Sequence, residues 1–240
     1  MESPRPDAMT RAQLGQRAEN QYVGVNCGIM DQFASACGKH DHALFLDCRS
    51  LEWQPVPLPQ DVAIVVADTA VPRSLSDSAY NERRSACEEA ARLLGKKSLR
   101  DVSVAEFQRN KNKLPELVAR RAQHVVEEIQ RTEQAVFLLK QGNVKAFGRL
   151  MNECHESLRD LYEVSCPELD IMVSIARSLG GCYGARLTGA GFGGCTVNLV
   201  SQEAAENFAQ ELAKRYTRET EKIPNVYICR AADGAGVVYS

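Results

Sequence analysis

The chain has 240 residues, of which 44 % are hydrophobic and 25 % charged. That composition supports a packed core and excludes a disordered or collagen-like chain. Lysine plus arginine number 29 against 31 aspartate plus glutamate, so no basic surplus marks a nucleic-acid binder, and no apolar run reaches the ~20 residues of a membrane-spanning helix.

Residues 1–9 read as a frayed, polar start with prolines at 4 and 6 and no signal-peptide stretch. Thr10 with Gln13 has the spacing of a capping box, which predicts a helix to about Gln21. Residues 23–28, with Gly24 and Gly28, read as a loop feeding a short helix from Ile29 or Met30 to the residue before Gly38. His42–Cys48 reads as a strand. Pro55, Pro57 and Pro59 alternate, so that stretch is extended, is no central strand, and marks a domain boundary.

Val62–Ala67 is a continuous apolar run suited to a buried strand. After Pro115, Val118, Ala122, Val125, Ile129, Val136 and Leu139 recur at helical steps and form one stripe. Gly142 ends that helix and Asn143 caps the next. Pro167 opens another, with Leu169, Met172, Val173, Ala176 and Leu179 on one face. Strands at 183–188 and 195–200, a helix from Gln202 to Thr217 and a last strand at 226–230 complete the chain. From Val62 onward the order is β, several helices, β, β, α, β. This is a ferredoxin-like split β-α-β plan with an enlarged helical crossover, and the fold class is α+β.

Nine cysteines, at 27, 37, 48, 87, 154, 166, 182, 195 and 229, include no C-x-x-C pair. They fit reduced core residues of a cytoplasmic protein better than a zinc site or a disulfide framework. The histidines at 40, 42, 124 and 155 show no ligand spacing, so no protein metal site is expected. Arg83, Arg84, Arg120 and Arg121 read as solvated helix faces.

Seven of the sixteen glycines lie between Gly180 and Gly194. Gly189, Gly191 and Gly194 satisfy G-x-G-x-x-G, but the β-branched Cys195–Val200 run that follows is a strand, whereas the dinucleotide fingerprint needs a helix there. The loop is then a glycine-lined β-turn whose bare backbone admits either a ligand or another part of the protein. Asp31, in Cys27-Gly-Ile-Met-Asp-Gln32, also has two readings. It is a favourable charge at a helix N-terminus, or a carboxylate in a partly apolar pocket that takes a proton from a substrate hydroxyl.

The segment Arg17–Phe33 resembles galactokinases, as do Leu46–Glu52, Tyr80-Asn-Glu-Arg-Arg84, Arg121–Glu127, Ser157–Asp160, Ser165–Asp170 and Gly184–Cys195. The blocks keep their order from about Thr10 to the C-terminus. The resemblance identifies a GHMP small-molecule kinase, a class of two α+β domains around a cleft. It implies a remnant of the first domain at 1–60 and the C-terminal domain at 61–240. It implies ATP-dependent phosphorylation of galactose at the anomeric hydroxyl, with Mg²⁺ accompanying ATP. Asp31 matches the catalytic aspartate that contacts the sugar, and Tyr80 a sugar-bonding tyrosine. Taken alone, Tyr80 is a half-buried helix residue with a wet hydroxyl. Cys27 and Gly28 stand beside the sugar by adjacency. Gly189, Gly191, Gly193 and Gly194 match the glycine-rich loop that supports the nucleotide phosphates.

Two motifs of that family are not in these 240 residues: the sugar-recognition segment of the type G-R-V-N-L-I-G-E-H-T-D-Y and the phosphate loop of the type G-L-S-S-S. The expectation is therefore a C-terminal portion without turnover of its own, whose 42–48 strand has lost its partners. A non-catalytic sugar-binding or regulatory relative and an N-acetylgalactosamine kinase are the alternatives.

Overall fold

A computed structural model of the chain describes residues 6–24, 27–72 and 76–236, without the side chains of residues 76–78 and 80. The chain divides into two compact units. One holds the residues up to Pro59 together with those from Arg230 onward, and the other holds Gln60–Cys229.

The first unit opens on α1 (Ala8–Ala18). The Asp7 carboxylate accepts the Thr10 amide at 2.7 Å and caps it. The expected capping box does not form, because Thr10 is already inside the helix and a better acceptor precedes it. A π-type turn, Glu19–Val23, carries the chain to Gly24. Next comes α2 (Met30–Cys37), whose Phe33 and Cys37 pack with Ala12 and Ile29 in a small core. The Phe33 ring meets Trp53 edge-on at 5.6 Å.

Strands β1 (His42–Leu46) and β2 (Trp53–Pro57) form an antiparallel ribbon with Leu44 opposite Pro55. The strand expected to stand alone thus has a partner. The prolines keep β2 extended, and in a two-stranded ribbon every strand is an edge, where a missing N–H is tolerated. The chain's last described residues close this unit. The Ala235 N–H donates to Ser35 at 2.7 Å, the Gly234 N–H to Gly38 at 2.9 Å, and Ala231 accepts from the Asp41 N–H at 3.2 Å.

The second unit is an antiparallel four-stranded sheet with helices. Its strands are β3 (Val62–Asp68), β4 (Cys182–Leu187), β5 (Cys195–Ser201) and β6 (Asn225–Cys229), in the order β4-β5-β3-β6. That order, with β-α-β-β-α-β connectivity, is the ferredoxin-like plan. β3 pairs with β5 from Val62↔Ser201 to Asp68↔Cys195. The crossover holds α3 (Ser76–Leu93), α4 (Val104–Asn110), α5 (Glu116–Lys140), α6 (Val144–Ser157) and α7 (Pro167–Ser178), and α8 (Ala205–Thr220) joins β5 to β6.

Two cores follow from these patterns. Val65 and Ala67 of β3, Ala185 and Val200 pack against Met172, Val173, Ala176, Phe208, Leu212 and Tyr216 of α7 and α8. Away from the sheet, Ala90, Phe107, Leu114, Val118, Ala122 and Val126 join α3, α4 and α5. Asn143 caps α6 by accepting the Ala146 amide at 3.2 Å, and Pro167 occupies the first turn of α7. The helix after β5 starts at Ala205 because residues 202–204 form a separate 3₁₀ turn. No disulfide links the nine cysteines. Among the described residues no helix is long and apolar enough to cross a membrane.

Candidate active site

Cys27, Gly28 and Asp31 belong to the first unit; Tyr80 and the glycine turn belong to the second. Asp31 sits in the first turn of α2, a helix that Ile29 begins without a side-chain cap. A carboxylate there meets the positive end of the helix dipole. The side chain is exposed, and it borders an open depression of about 420 Å³ whose other walls are Arg11, Gly15, Gln32, Ser35, Ala36 and Ala235. Arg11 gives this wall its positive charge. Its guanidinium is held by the carbonyls of Pro6 at 3.0 Å and Ala235 at 3.3 Å. Arg11 carries no pattern in sequence, because its neighbour Ala235 comes from the far end of the chain.

Cys27 is fixed from three sides. Its N–H donates to Asn20 Oδ1 at 3.1 Å, its carbonyl accepts from Gln16 Nε2 at 3.2 Å, and its sulfur accepts from Gln32 Nε2 at 3.8 Å. Gly28 faces open space, with nothing within 4 Å of where a Cβ would stand. Residues 25 and 26, in the middle of the expected loop, lie outside the described residues. Tyr80 lies on α3, with its side chain outside them as well.

The glycine turn joins β4 to β5, two antiparallel strands, so no helix follows it. Its backbone is left-handed or beyond at Gly189 (φ 79°), Gly191 (82°), Phe192 (59°), Gly193 (130°) and Gly194 (76°). Backbone amides in such turns can face an anion, but here those of Phe192 and Gly194 donate to the Val164 and Val71 carbonyls at 2.7 and 3.2 Å. Two of the glycines answer to the protein itself. A Cβ on Gly191 would lie 2.1 Å from the Val164 carbonyl oxygen, and one on Gly193 would lie 2.7 Å from that of Val71. At these two residues the loop admits another part of the protein, as one of its two readings expected.

The turn is tied down on both sides. Phe192 N–H donates to the Val164 carbonyl at 2.7 Å. Thr69 donates its N–H (3.0 Å) and its hydroxyl (2.7 Å) to the Gly194 carbonyl, and the buried Tyr216 hydroxyl donates to the Thr69 carbonyl at 2.9 Å.

Behind the first tie stands a cluster of arginines. Glu163 follows a π-type turn, Leu158–Tyr162, with φ 53°. Its carboxylate accepts from Arg120 and Arg121, which hold it below the usual carboxylate range, Arg121 foremost. Arg83 donates to the carbonyls of Tyr162 (2.9 Å) and Glu163 (2.8 Å) and lies 5.6 Å from the centre of the Phe192 ring. Three of the four arginines expected on solvated faces thus hold backbone and carboxylate. Only Arg84 fits the surface reading, in an exposed i,i+4 pair with Glu88 at 2.9 Å. Spacing alone does not separate these cases, because all four stand in Arg–Arg pairs.

Two histidines without ligand spacing turn out to be buried joints. His124 Nδ1 lies 2.8 Å from the Ser157 hydroxyl, and burial pushes its imidazole down to about 4. His155 Nδ1 accepts the Leu187 amide at 3.3 Å, which leaves Nε2–H to donate to Asp170 at 3.2 Å. That tautomer is neutral, in line with burial holding this imidazole well below its ordinary value. Ser165 donates to the same Asp170 oxygen at 2.6 Å, so serine and histidine share the carboxylate and the serine is not activated as a nucleophile.

Residues 135–218 match the family described as GHMP kinases C terminal. The chain is also similar to galactokinases. It is 50 % identical over 232 residues to the galactokinase of Roseiflexus sp. (strain RS-1), a match covering 95 % of this chain and 59 % of the relative. The Bos taurus galactokinase is 49 % identical over 238 residues, covering 98 % and 60 %. The crystal structure of Lactococcus lactis galactokinase complexed with galactose superposes with a TM-score of 0.90 at 37 % identity, covering 98 % of this chain and 61 % of that one. The chain thus spans about three fifths of the length of the curated relatives it matches.

Proposed function

We propose that this chain is the part of an ATP-dependent galactokinase that carries its catalytic base and one of its phosphate-supporting loops. In this reading Asp31 accepts the proton of the anomeric hydroxyl as that oxygen attacks the γ-phosphorus of ATP. Tyr80, Cys27 and Gly28 contact galactose. The 189–194 turn, whose Phe192 and Gly194 amides anchor it to Val164 and Val71, supports the nucleotide phosphates with its remaining backbone N–H groups, where fixed dipoles offset the charge that phosphoryl transfer develops. The setting is the cytoplasm. The observation that carries this reading is the 50 % identity to a galactokinase across 95 % of the chain.

Mg²⁺ enters with ATP as part of the substrate. Among the described residues no group of three or more His, Cys, Asp or Glu is placed to hold a metal ion, so the residues described here do not fit a dedicated cage. The 240 residues include no G-L-S-S-S-type loop. By itself the chain is therefore expected to give no galactose-dependent ADP release.

The test joins this chain to the part of the Bos taurus galactokinase that lies outside the match and follows ADP release with galactose and ATP–Mg²⁺. The reading expects turnover from the fusion, its loss in Asp31→Asn, and none from the chain alone. A folded fusion that is silent with galactose overturns it, and turnover with N-acetylgalactosamine in its place moves the assignment to that kinase branch.

A further inference from the structure

We propose that Glu163, clamped by Arg120 and Arg121, is a positioning residue for the glycine turn, acting through the carbonyl of Val164. The inference rests on the reading of residues 189–194 as a phosphate-supporting loop. Four consecutive peptide groups carry it. The carbonyl of Leu161 accepts from Arg121 at 2.5 Å, and those of Tyr162 and Glu163 accept from Arg83 at 2.9 and 2.8 Å. The fourth carbonyl, Val164, takes the Phe192 amide at 2.7 Å.

The backbone changes hand at Glu163, the residue between the arginine-bound carbonyls and the loop-bound one, with φ 53°. A left-handed non-glycine residue is disfavoured and persists only where its surroundings hold it. Here the Val164 amide donates to the Leu158 carbonyl at 3.0 Å at this helix end, Arg120 and Arg121 hold the side chain, and Arg83 holds the carbonyl. With the clamp released, only that helix-end bond holds residue 163, the 164 carbonyl shifts, and the Phe192 amide's bond to it loosens. Val164 also closes against Gly191, where no Cβ fits. The clamp therefore reaches two residues of the turn at once. Arg83 reaches it a third way, over the Phe192 ring.

A merely stabilising clamp and a positioning one differ in where the loss appears. The amides of Phe192 and Gly194 sit two residues apart but hang on different anchors, Val164 and Val71. General destabilisation speeds exchange at both. Loss of positioning speeds Phe192 alone.

The experiment measures amide exchange by NMR on the 240-residue chain, with Glu163→Ala, which removes the clamped carboxylate and keeps a side chain that disfavours a left-handed backbone, and with Arg83→Gln as a second variant on another arm of the cluster. Each is expected to raise the Phe192-to-Gly194 exchange ratio roughly tenfold, the scale of one charge-assisted hydrogen bond. Affinity for ATP–Mg²⁺, measured calorimetrically on the fusion enzyme, is expected to fall with it. An unchanged ratio in both variants overturns the positioning role. A raised ratio with unchanged ATP affinity overturns its bearing on the nucleotide. A parent fusion that binds no ATP refutes the phosphate-loop reading itself, while the exchange ratio still decides whether Glu163 positions the turn.

Discussion

Arg121 and Glu163 form an ion pair that is buried on one side only: the arginine side chain is 4 % exposed and the glutamate 41 %. The guanidinium also donates to the Leu161 carbonyl at 2.5 Å. Its removal takes away two charge-assisted bonds and leaves a carbonyl without its donor. Solvent at the Glu163 end keeps the cost below that of a fully buried pair. Arg121→Met is expected to destabilise the chain by about 2–3 kcal/mol. Arg120 serves the same carboxylate from a side chain 40 % exposed, and Arg120→Met should cost under about 1 kcal/mol. Urea denaturation of both variants checks the ranking, and equal costs would refute it.

The glycines of the turn are not equivalent. Alanine at Gly191 meets both a left-handed backbone and the Val164 carbonyl at 2.1 Å, a contact that only movement of the backbone relieves. Gly191→Ala should therefore disrupt the loop and cost more than the ~1–2 kcal/mol that a left-handed conformation alone imposes on a side chain. At Gly142 the same conformation (φ 66°) faces open space, so Gly142→Ala should show the conformational cost by itself. Thermal unfolding of the two variants measures the difference.

Much of this architecture was legible in the residues because its signals are local. The α5 stripe, Asn143 as a cap, Pro167 in a first turn and the strand after Gly194 each rest on a few neighbouring residues, and the structure contains each of them. The misses concern partners that only the folded chain brings together. The β1 strand finds β2 across a short turn, Arg11 finds Ala235, and the arginines of α3 and α5 find a carbonyl run near residue 162. No periodicity announces such meetings. The cap of α1 failed for a different reason: Asp7 and Thr10 both suit the role, and the residue nearer the chain start took it. At the site, the glycine turn stood out by composition and Asp31 by the resemblance of its segment to galactokinases, whereas Glu163 is an ordinary acidic residue until its backbone angle is known.

The two buried histidines impose a pH dependence whose sign is fixed. His124 is 5 % exposed and His155 1 %, and burial lowers both imidazoles in the folded chain. The unfolded chain, with ordinary histidines near 6.5, binds more protons between that value and the folded one. Stability from these groups is thus present above pH 6.5 and lost as pH falls towards 4, where the His124 loss levels off. For His124 the span from 6.5 to about 4 corresponds to at most about 3 kcal/mol. Denaturation midpoints should change little from about pH 7.5 to 6.5 and fall through about pH 5.5 to 4.5. His124→Gln should flatten part of that slope, and an equally steep profile in the variant would exclude His124 as a source.

Asp31 permits a separation of the helix-end role and the proposed general-base role of one carboxylate. As a charge in the first turn of α2, it stabilises the helix by about 0.3–1 kcal/mol. As the proposed general base, it would contribute about 10²–10⁴ in rate. Asp31→Asn removes both the charge and the basicity. Asp31→Glu keeps the charge near the helix end and shifts the carboxylate by one methylene. In the fusion enzyme, Asn should cost a little stability and at least about 100-fold in kcat. Glu should leave stability intact and still lose most of the turnover, because proton transfer needs the acceptor within hydrogen-bond reach. If Glu restores the rate as fully as it restores stability, the carboxylate acts only through its charge, and proton abstraction passes to another group. Because the side chain is exposed on its own unit, neither substitution disturbs the Phe33 and Cys37 core beneath it. Kinetics and melting of the same two variants then read the two roles independently.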